Sequence, residues 1–212
     1  MICEHERIDV VVNNAGVASA GLTESFTVED AQKMFDINFF GVMRVNRAII
    51  PHMRNQKSGL LIHISTTTAR LPFPYMGPYA PSKAAMEAYA ESLKYELTHF
   101  GIDSVIIEPG AHPTDIFDKM ISPSDINVVS SYGEDAHTPQ KMFEGMRKML
   151  AGPQAPDPGQ VAQAVKNLVD QPAGQRPLRT VVDRLTGSVV EGINKNAETA
   201  QTQLLKAFGI KV

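Results

Sequence analysis

An α/β domain built on a doubly wound parallel sheet is the fold class this sequence predicts, from two observations. Short continuous apolar runs recur at residues 8–12, 60–64 and 104–107, with a weaker one at 180–182. Long segments of helical periodicity separate them, at about 28–53, 79–99, 139–150 and 160–169. Continuous runs of this length read as strands buried on both faces. Strand, helix, strand, helix, strand then requires right-handed crossovers and parallel pairing. No internal repeat or low-complexity stretch interrupts the pattern.

The 212 residues are 43% hydrophobic and 20% charged, which suits one globular domain with its own core. A formal net charge of −3 and the lack of any Lys/Arg block argue against a nucleic-acid or anionic-membrane surface. The single cysteine, Cys3, rules out an internal disulfide and fits a reducing compartment. The opening MICEHERIDV carries charges where a secretion signal is apolar, and no run approaches a membrane span. A cytoplasmic protein without membrane contact is expected. The histidines are scattered without ligand spacing, so no metal site is expected.

The first strand runs into Asn13, Asn14, Ala15 and Gly16. The helix after it opens on Thr27-Val-Glu-Asp30, a capping box. Ala31, Met34, Phe35, Val42, Val45 and Ile49 form one apolar stripe, with Asn38 inside it. A core-facing amide must find partners or cost about 1–3 kcal/mol. Asn38 is therefore either a satisfied structural residue or part of a site. Phe39, Phe40 and Met43 lie on another face of the same helix, and the second long helix has a spare small face at Ala80, Ala84 and Ala88. Helices apolar on two sides are usually covered twice. A homodimer or homotetramer through these two helices is expected.

The second strand is followed by Ser65, Thr66, Thr67 and Thr68, and the third by Pro109, Gly110 and Thr114. In open parallel sheets ligands bind beyond the carboxyl ends of the strands. Three consecutive strands thus deliver small or hydroxyl-bearing residues to one rim. The segment YAPSK adds Tyr79 and Lys83, four apart and about 40° from each other around a helix. A free tyrosine titrates near 10, and a neighbouring ammonium is expected to draw that value down.

With these motifs in order, the sequence resembles the short-chain dehydrogenases/reductases, NAD(P)-dependent oxidoreductases on a Rossmann-type fold. The matching residues run from the first strand to Thr114, and the helix–strand pattern stays compatible to about residue 185. The resemblance implies that Asn13, Ala15 and Gly16 support the sheet and the adenosine side of the cofactor. It implies that Asn38 is the catalytic asparagine, helping to relay protons. Tyr79 would transfer the proton, and Lys83 would lower its pKa and grip the nicotinamide ribose. Pro109, Gly110 and Thr114 would close over the nicotinamide half. The family's catalytic serine falls 13 residues before the tyrosine, at Thr66, with Ser65 beside it; Thr66 has the register and Ser65 is the reserve. His112 stands where the family commonly has an aliphatic residue. It either touches the carboxamide or substrate, or is a partly exposed loop histidine.

The implied reaction is hydride transfer between NAD or NADP and an alcohol or ketone carbon. The proline-rich segment 111–159, with Met142, Phe143, Met146, Met149 and Leu150, reads equally as a lid over an apolar substrate or as a satellite helix covering the core. Leu71–Met76 offers another apolar wall, and residues 186–212 read as a carboxyl-terminal extension. No GxxxGxG-like stretch precedes the first strand. The expectation is a single partial domain over residues 1–212, amino-terminally truncated, lacking most of its first βαβαβ half and exposing the edge of residues 8–12. The alternative function is an inactive remnant acting through helix-mediated association.

Overall fold

Four parallel strands in the order β1-β2-β3-β4 organise the computed structural model, which describes residues 7–210. They are β1 (Val10–Asn13), β2 (Gly59–Ile64), β3 (Ile102–Pro109) and β4 (Arg179–Val182). Val10 stands opposite Leu60, Leu60 opposite Asp103, and Ile106 opposite Arg179. All four expected strands are present. Among the described residues β1 pairs only with β2, and Val12 is 41% exposed at that edge. Cys3 lies outside the described residues.

The helices are α1 (Val28–Phe35), α2 (Gly41–Gln56), α3 (Tyr79–Leu97), α4 (Ile126–Ser131), α5 (Thr138–Leu150), α6 (Gly159–Asp170) and α7 (Gly187–Ala207). Alternation along the strands divides the core. Leu60, Ile62, Val105 and Ile107 face Ala164 and Leu168 of α6, while Leu61 and Ile102 face Met53 of α2 and Leu93 and Leu97 of α3. Helices on both faces make the sheet doubly wound.

The expected capping box is formed: Thr27 accepts from the Asp30 backbone N–H, and the Asp30 carboxylate accepts from the Thr27 N–H. The single helix expected over 28–53 is interrupted. Residues Asp36–Phe40 make a π-helical turn, with the Gly41 N–H bonded back to the Asp36 carbonyl. One extra residue in the turn rotates everything beyond it. Val45, expected inside, is 42% exposed, and Asn46 is buried in its place.

The carboxyl-terminal extension contains a long helix that the sequence reading did not identify. Val190, Asn194 and Leu205 are buried on its inner face, and it packs against β4. No helix among the described residues is long and apolar enough to cross a membrane.

Candidate active site

The chain approaches Tyr79 through a tight corner. Tyr75 and Gly77 both have positive φ, at 64° and 44°. A Cβ on Gly77 would come 2.6 Å from the Phe26 ring, so both space and dihedral require glycine there. Tyr79 then opens α3, buried among Ala18, Met34, Met76 and Phe143. Burial pushes its pKa up to about 12, against a smaller lowering effect from the nearby Thr66. Desolvation of the phenol is the larger effect on this group.

Lys83 lies one turn further along α3, and its ammonium donates to the Ile64 carbonyl at 2.8 Å, at the end of β2. Burial lowers its pKa to about 8, with the Glu87 carboxylate opposing. Thr66 is extended, accepts from the Thr68 N–H at 3.3 Å and lies 3.2 Å from the Thr68 hydroxyl. Ser65 is differently engaged: its hydroxyl donates to Glu87 Oε1 at 2.5 Å. Of the two hydroxyls that sequence left open, Ser65 is spent on Glu87 and Thr66 is bonded only within its own turn.

Asn38 is fully buried in the π-helical turn. Its Nδ2 donates to the Val17 carbonyl and to Ser82 Oγ, both at 2.9 Å, and its Oδ1 accepts from the Val17 N–H at 2.9 Å. Both amide protons are spent. The side chain braces the loop after β1.

Asn13 also faces inward. Its Nδ2 donates to Asn46 Oδ1 at 3.0 Å and approaches His63 Nδ1 at 3.4 Å. Ala15 and Gly16 stand exposed at the rim. A Cβ on Gly16 would come within 3.2 Å of both Asn38 Oδ1 and Lys83 Nζ, so glycine keeps the rim open beside the ammonium. A Cβ on Gly110 would meet Asp183 Cγ at 2.4 Å, a close approach that only glycine permits. Pro109 ends β3 half-buried, and Thr114 is exposed. His112 is buried, contrary to the exposed-loop alternative. Its Nδ1 lies 3.0 Å from the Gly110 carbonyl, and its Nε2 has no partner.

The sequence reading missed the charged cluster behind this rim: Glu87, Glu108, Arg179 and Asn194. A signal existed. Glu108 interrupts a buried strand of apolar residues, and a carboxylate there must be paired. Among the described residues no group of acidic, histidine or cysteine side chains is placed to hold a metal ion.

The sequence model of the short chain dehydrogenases matches residues 1–124, which spans every rim residue named above. The chain belongs to the short-chain dehydrogenase family. An uncharacterized oxidoreductase, YusZ of Bacillus subtilis, is 34% identical over 164 residues, covering 76% of this chain and 56% of that protein. The 3-ketodihydrosphingosine reductase of Bacteroides thetaiotaomicron is 37% identical over 56% of this chain and 44% of its own length. Human retinol dehydrogenase 8 is 29% identical over 84% of this chain and 57% of its own length. The chain thus spans about half the length of these curated relatives. Among solved structures, a short-chain dehydrogenase from Streptomyces avermitilis superposes with a TM-score of 0.71 at 29% identity, covering 97% of this chain and 70% of that one. A gluconate 5-dehydrogenase from Burkholderia cenocepacia, in complex with NADP and tartrate, gives 0.53 at 27% identity over 54% and 45%.

Proposed function

We propose that this chain carries the proton-handling rim of an NAD(P)-dependent oxidoreductase acting on an alcohol or ketone carbon. The observation that carries the reading is Tyr79, buried beside the hydroxyl loop, on the same helix that delivers Lys83 to the Ile64 carbonyl at the end of β2. Tyr79 gives or takes the substrate's hydroxyl proton. Thr66 holds the substrate oxygen beside the phenol. Asn38, by clamping Val17, fixes the loop that carries Gly16.

The residues present fit the nicotinamide half of the cofactor. Lys83 spends one N–H on Ile64 and keeps two for ribose hydroxyls. The missing Cβ of Gly16 leaves a cradle beside that ammonium, which favours the nicotinamide side for Gly16 over the adenosine side that the resemblance implied. When bound, the nicotinamide supplies the hydride chemistry, and the protein positions and protonates. An apolar substrate is favoured by the wall around Tyr79, built from Met76, Ile116, Met120, Met142, Phe143 and Met146. The names of two relatives, a ketodihydrosphingosine reductase and a retinol dehydrogenase, denote long apolar substrates, which supports the same choice.

Replacing Tyr79 with Phe, in a form of the protein that binds NAD(P), tests the reading. Turnover is expected to fall by orders of magnitude while cofactor affinity hardly changes. Comparable turnover in the variant overturns it.

A second reading is association with another copy, with or without catalysis. It is favoured by Ile37, Phe40 and Val45, which are 42%, 44% and 42% exposed along the Asn38 helix. The face expected on α3 contributes less, because Ala80 is buried and Ala84 half-buried, and on the Asn38 helix Phe39 is stacked edge-on against Tyr89 within the chain. A chain that sediments as a monomer at high concentration excludes this reading.

A further inference from the structure

Two buried carboxylates face one guanidinium directly behind the hydroxyl loop. Glu87 of α3 and Glu108 of β3 are 2% and 0% exposed. Arg179 of β4 lies between them, its Nε 3.6 Å from Glu87 Oε2 and 3.5 Å from Glu108 Oε1. None of these three atoms makes a hydrogen bond. The other arm of Arg179 donates to Glu91 at 2.7 Å. The remaining carboxylate oxygens are held. Ser65 donates to Glu87 Oε1, Asn194 Nδ2 donates to Glu108 Oε2, and Arg70 Nε donates to Asn194 Oδ1 at 2.9 Å.

Ser65 and Arg70 are the two ends of the loop that presents Thr66, Thr67 and Thr68. One buried cluster, assembled from α3, β3, β4 and α7, therefore pins that loop at both ends. Such a cluster contributes little to stability, because well-packed apolar residues of the same volume generally do as well. A role beyond stability is called for. Glu87, Glu108 and Glu91 all face Arg179, yet its Nε donates to neither of the two buried carboxylates beside it. Two carboxylates sharing a buried site raise each other's pKa.

We propose that Glu87 is a positioning residue for the Ser65–Arg70 loop, and that Glu87 and Glu108 hold one proton between them to do so. The loop anchoring and the shared proton stand independently of the oxidoreductase reading; only their bearing on Thr66 and Tyr79 rests on it. Burial, and then the charge of Glu87, push the Glu108 carboxyl up to about 7; burial raises Glu87 as well. The charged groups facing the pair are Lys83 and Glu91 on α3, Arg70 on the loop and Arg179 on β4, with the neutral Asn194 on α7. A cleft of about 350 Å³ between β4 and α7, lined by Arg179 and Asn194 and flanked by Glu191, Lys195 and Glu198, gives solvent protons a path. Loss of the shared proton puts a second negative charge behind Ser65 and Lys83.

The test uses the whole chain and needs no turnover. A carboxyl raised from 4.5 to about 7 stabilises the fold below 4.5, and that contribution is lost as pH rises through 7. Denaturant unfolding of the wild type and of Glu108→Gln is compared at intervals across this range. The wild type's stability relative to the variant is expected to fall as pH rises. His63 acts in the opposite direction but is present in both proteins, so it cancels in the difference. A difference that does not vary with pH overturns the shared proton.

Hydrogen exchange then reads the loop through the amides of Ala69, Arg70 and Leu71, which bond back to Thr66 and Thr67. Ser65→Ala and Glu87→Ala are expected to speed their exchange about tenfold or more, whereas Glu87→Gln, which keeps the acceptor, stays near wild type below pH 7. Unchanged exchange in Ser65→Ala, or failure of Gln to rescue, overturns the positioning role. Should Glu87→Ala not fold, Ser65→Ala decides. An inactive protein that passes both tests overturns the catalytic reading alone.

Discussion

Asn38 and Val17 exchange a matched pair of hydrogen bonds, each 2.9 Å, between a side-chain amide in the π-helical turn and the backbone after β1. The amide copies the pairing of a neighbouring strand and so fixes a loop that has no strand partner there. Asn38→Leu fills the same volume but leaves the Val17 N–H and C=O unpaired. Each orphan costs about 1–3 kcal/mol, so the variant is expected to lose a few kcal/mol of unfolding free energy. Asn38→Asp keeps the acceptor and loses both donors, and is expected to fall between. A Leu variant as stable as wild type removes the bracing role.

That pairing also marks where sequence stopped being legible. Four strands and the helices between them follow from apolar runs and periodicity, because burial on both faces leaves little choice of residue. Asn38 stood out because an amide cannot sit in an apolar stripe unpaid for. Val45 was misplaced because an inserted π turn leaves no mark in a period of 3.6. The engagement of Ser65 by Glu87 was invisible for another reason: the partners come from separate elements, and Arg179 and Asn194 arrive from the far end of the chain. Likewise the rise of the Tyr79 pKa reflects enclosure by Phe143 and Met76, which no local spacing encodes.

His63 sits fully buried on β2 between two groups that fix its protonation. Ser104 Oγ donates to the Ala90 carbonyl, so the imidazole Nε2–H donates to Ser104, and Nδ1 accepts from Asn13. A proton on Nδ1 would oppose the Asn13 N–H. Burial, with the charge of Lys83, lowers the His63 pKa from 6.5 to about 4. The folded state therefore binds fewer protons than the unfolded one between those values, and stability rises with pH across that window. The effect is on the order of 3 kcal/mol. His63→Gln is expected to flatten the acid side of the stability profile relative to wild type. Parallel profiles would show that this histidine does not titrate on unfolding.

Phe143 encloses Tyr79 from α5, together with Met142 and Met146. The preceding segment is tied down by the Ile121 backbone, which pairs with Ala18 and Ala20. Tyr79 is thus walled on this side, and the lid expected over 111–159 predicts that this wall loosens to admit substrate. Phe143→Ala is expected to cost about 3 kcal/mol or more and to loosen α5. In wild type, amides of α5 are expected to exchange faster than those of β3, and to slow when an apolar ketone and cofactor are both present. Protection equal to that of β3 and indifferent to ligand would make the segment a fixed wall.

The proposed function assigns the rim residues to one half of a dinucleotide. In the proposed reading Lys83, Gly16, Gly110 and Thr114 serve the nicotinamide and its ribose, but a pyrophosphate needs a cluster of backbone N–H groups at a helix amino terminus, reached through a glycine-rich turn. Residues 1–212 contain no GxxxGxG-like stretch. The helix after β1 opens on Thr27 with Glu29 and Asp30 in its first turn, and the Asp30 carboxylate already caps it. A phosphate would meet two carboxylates there. The 212-residue chain is therefore expected to bind NADH and NADPH weakly, with Kd well above about 100 μM, where contacts to both halves support micromolar affinity. Calorimetric titration of the purified chain with each nucleotide measures this directly. Micromolar binding by these residues alone would mean that the phosphates are held by groups other than a glycine-rich turn, and Arg70 or Lys83 variants would then locate them.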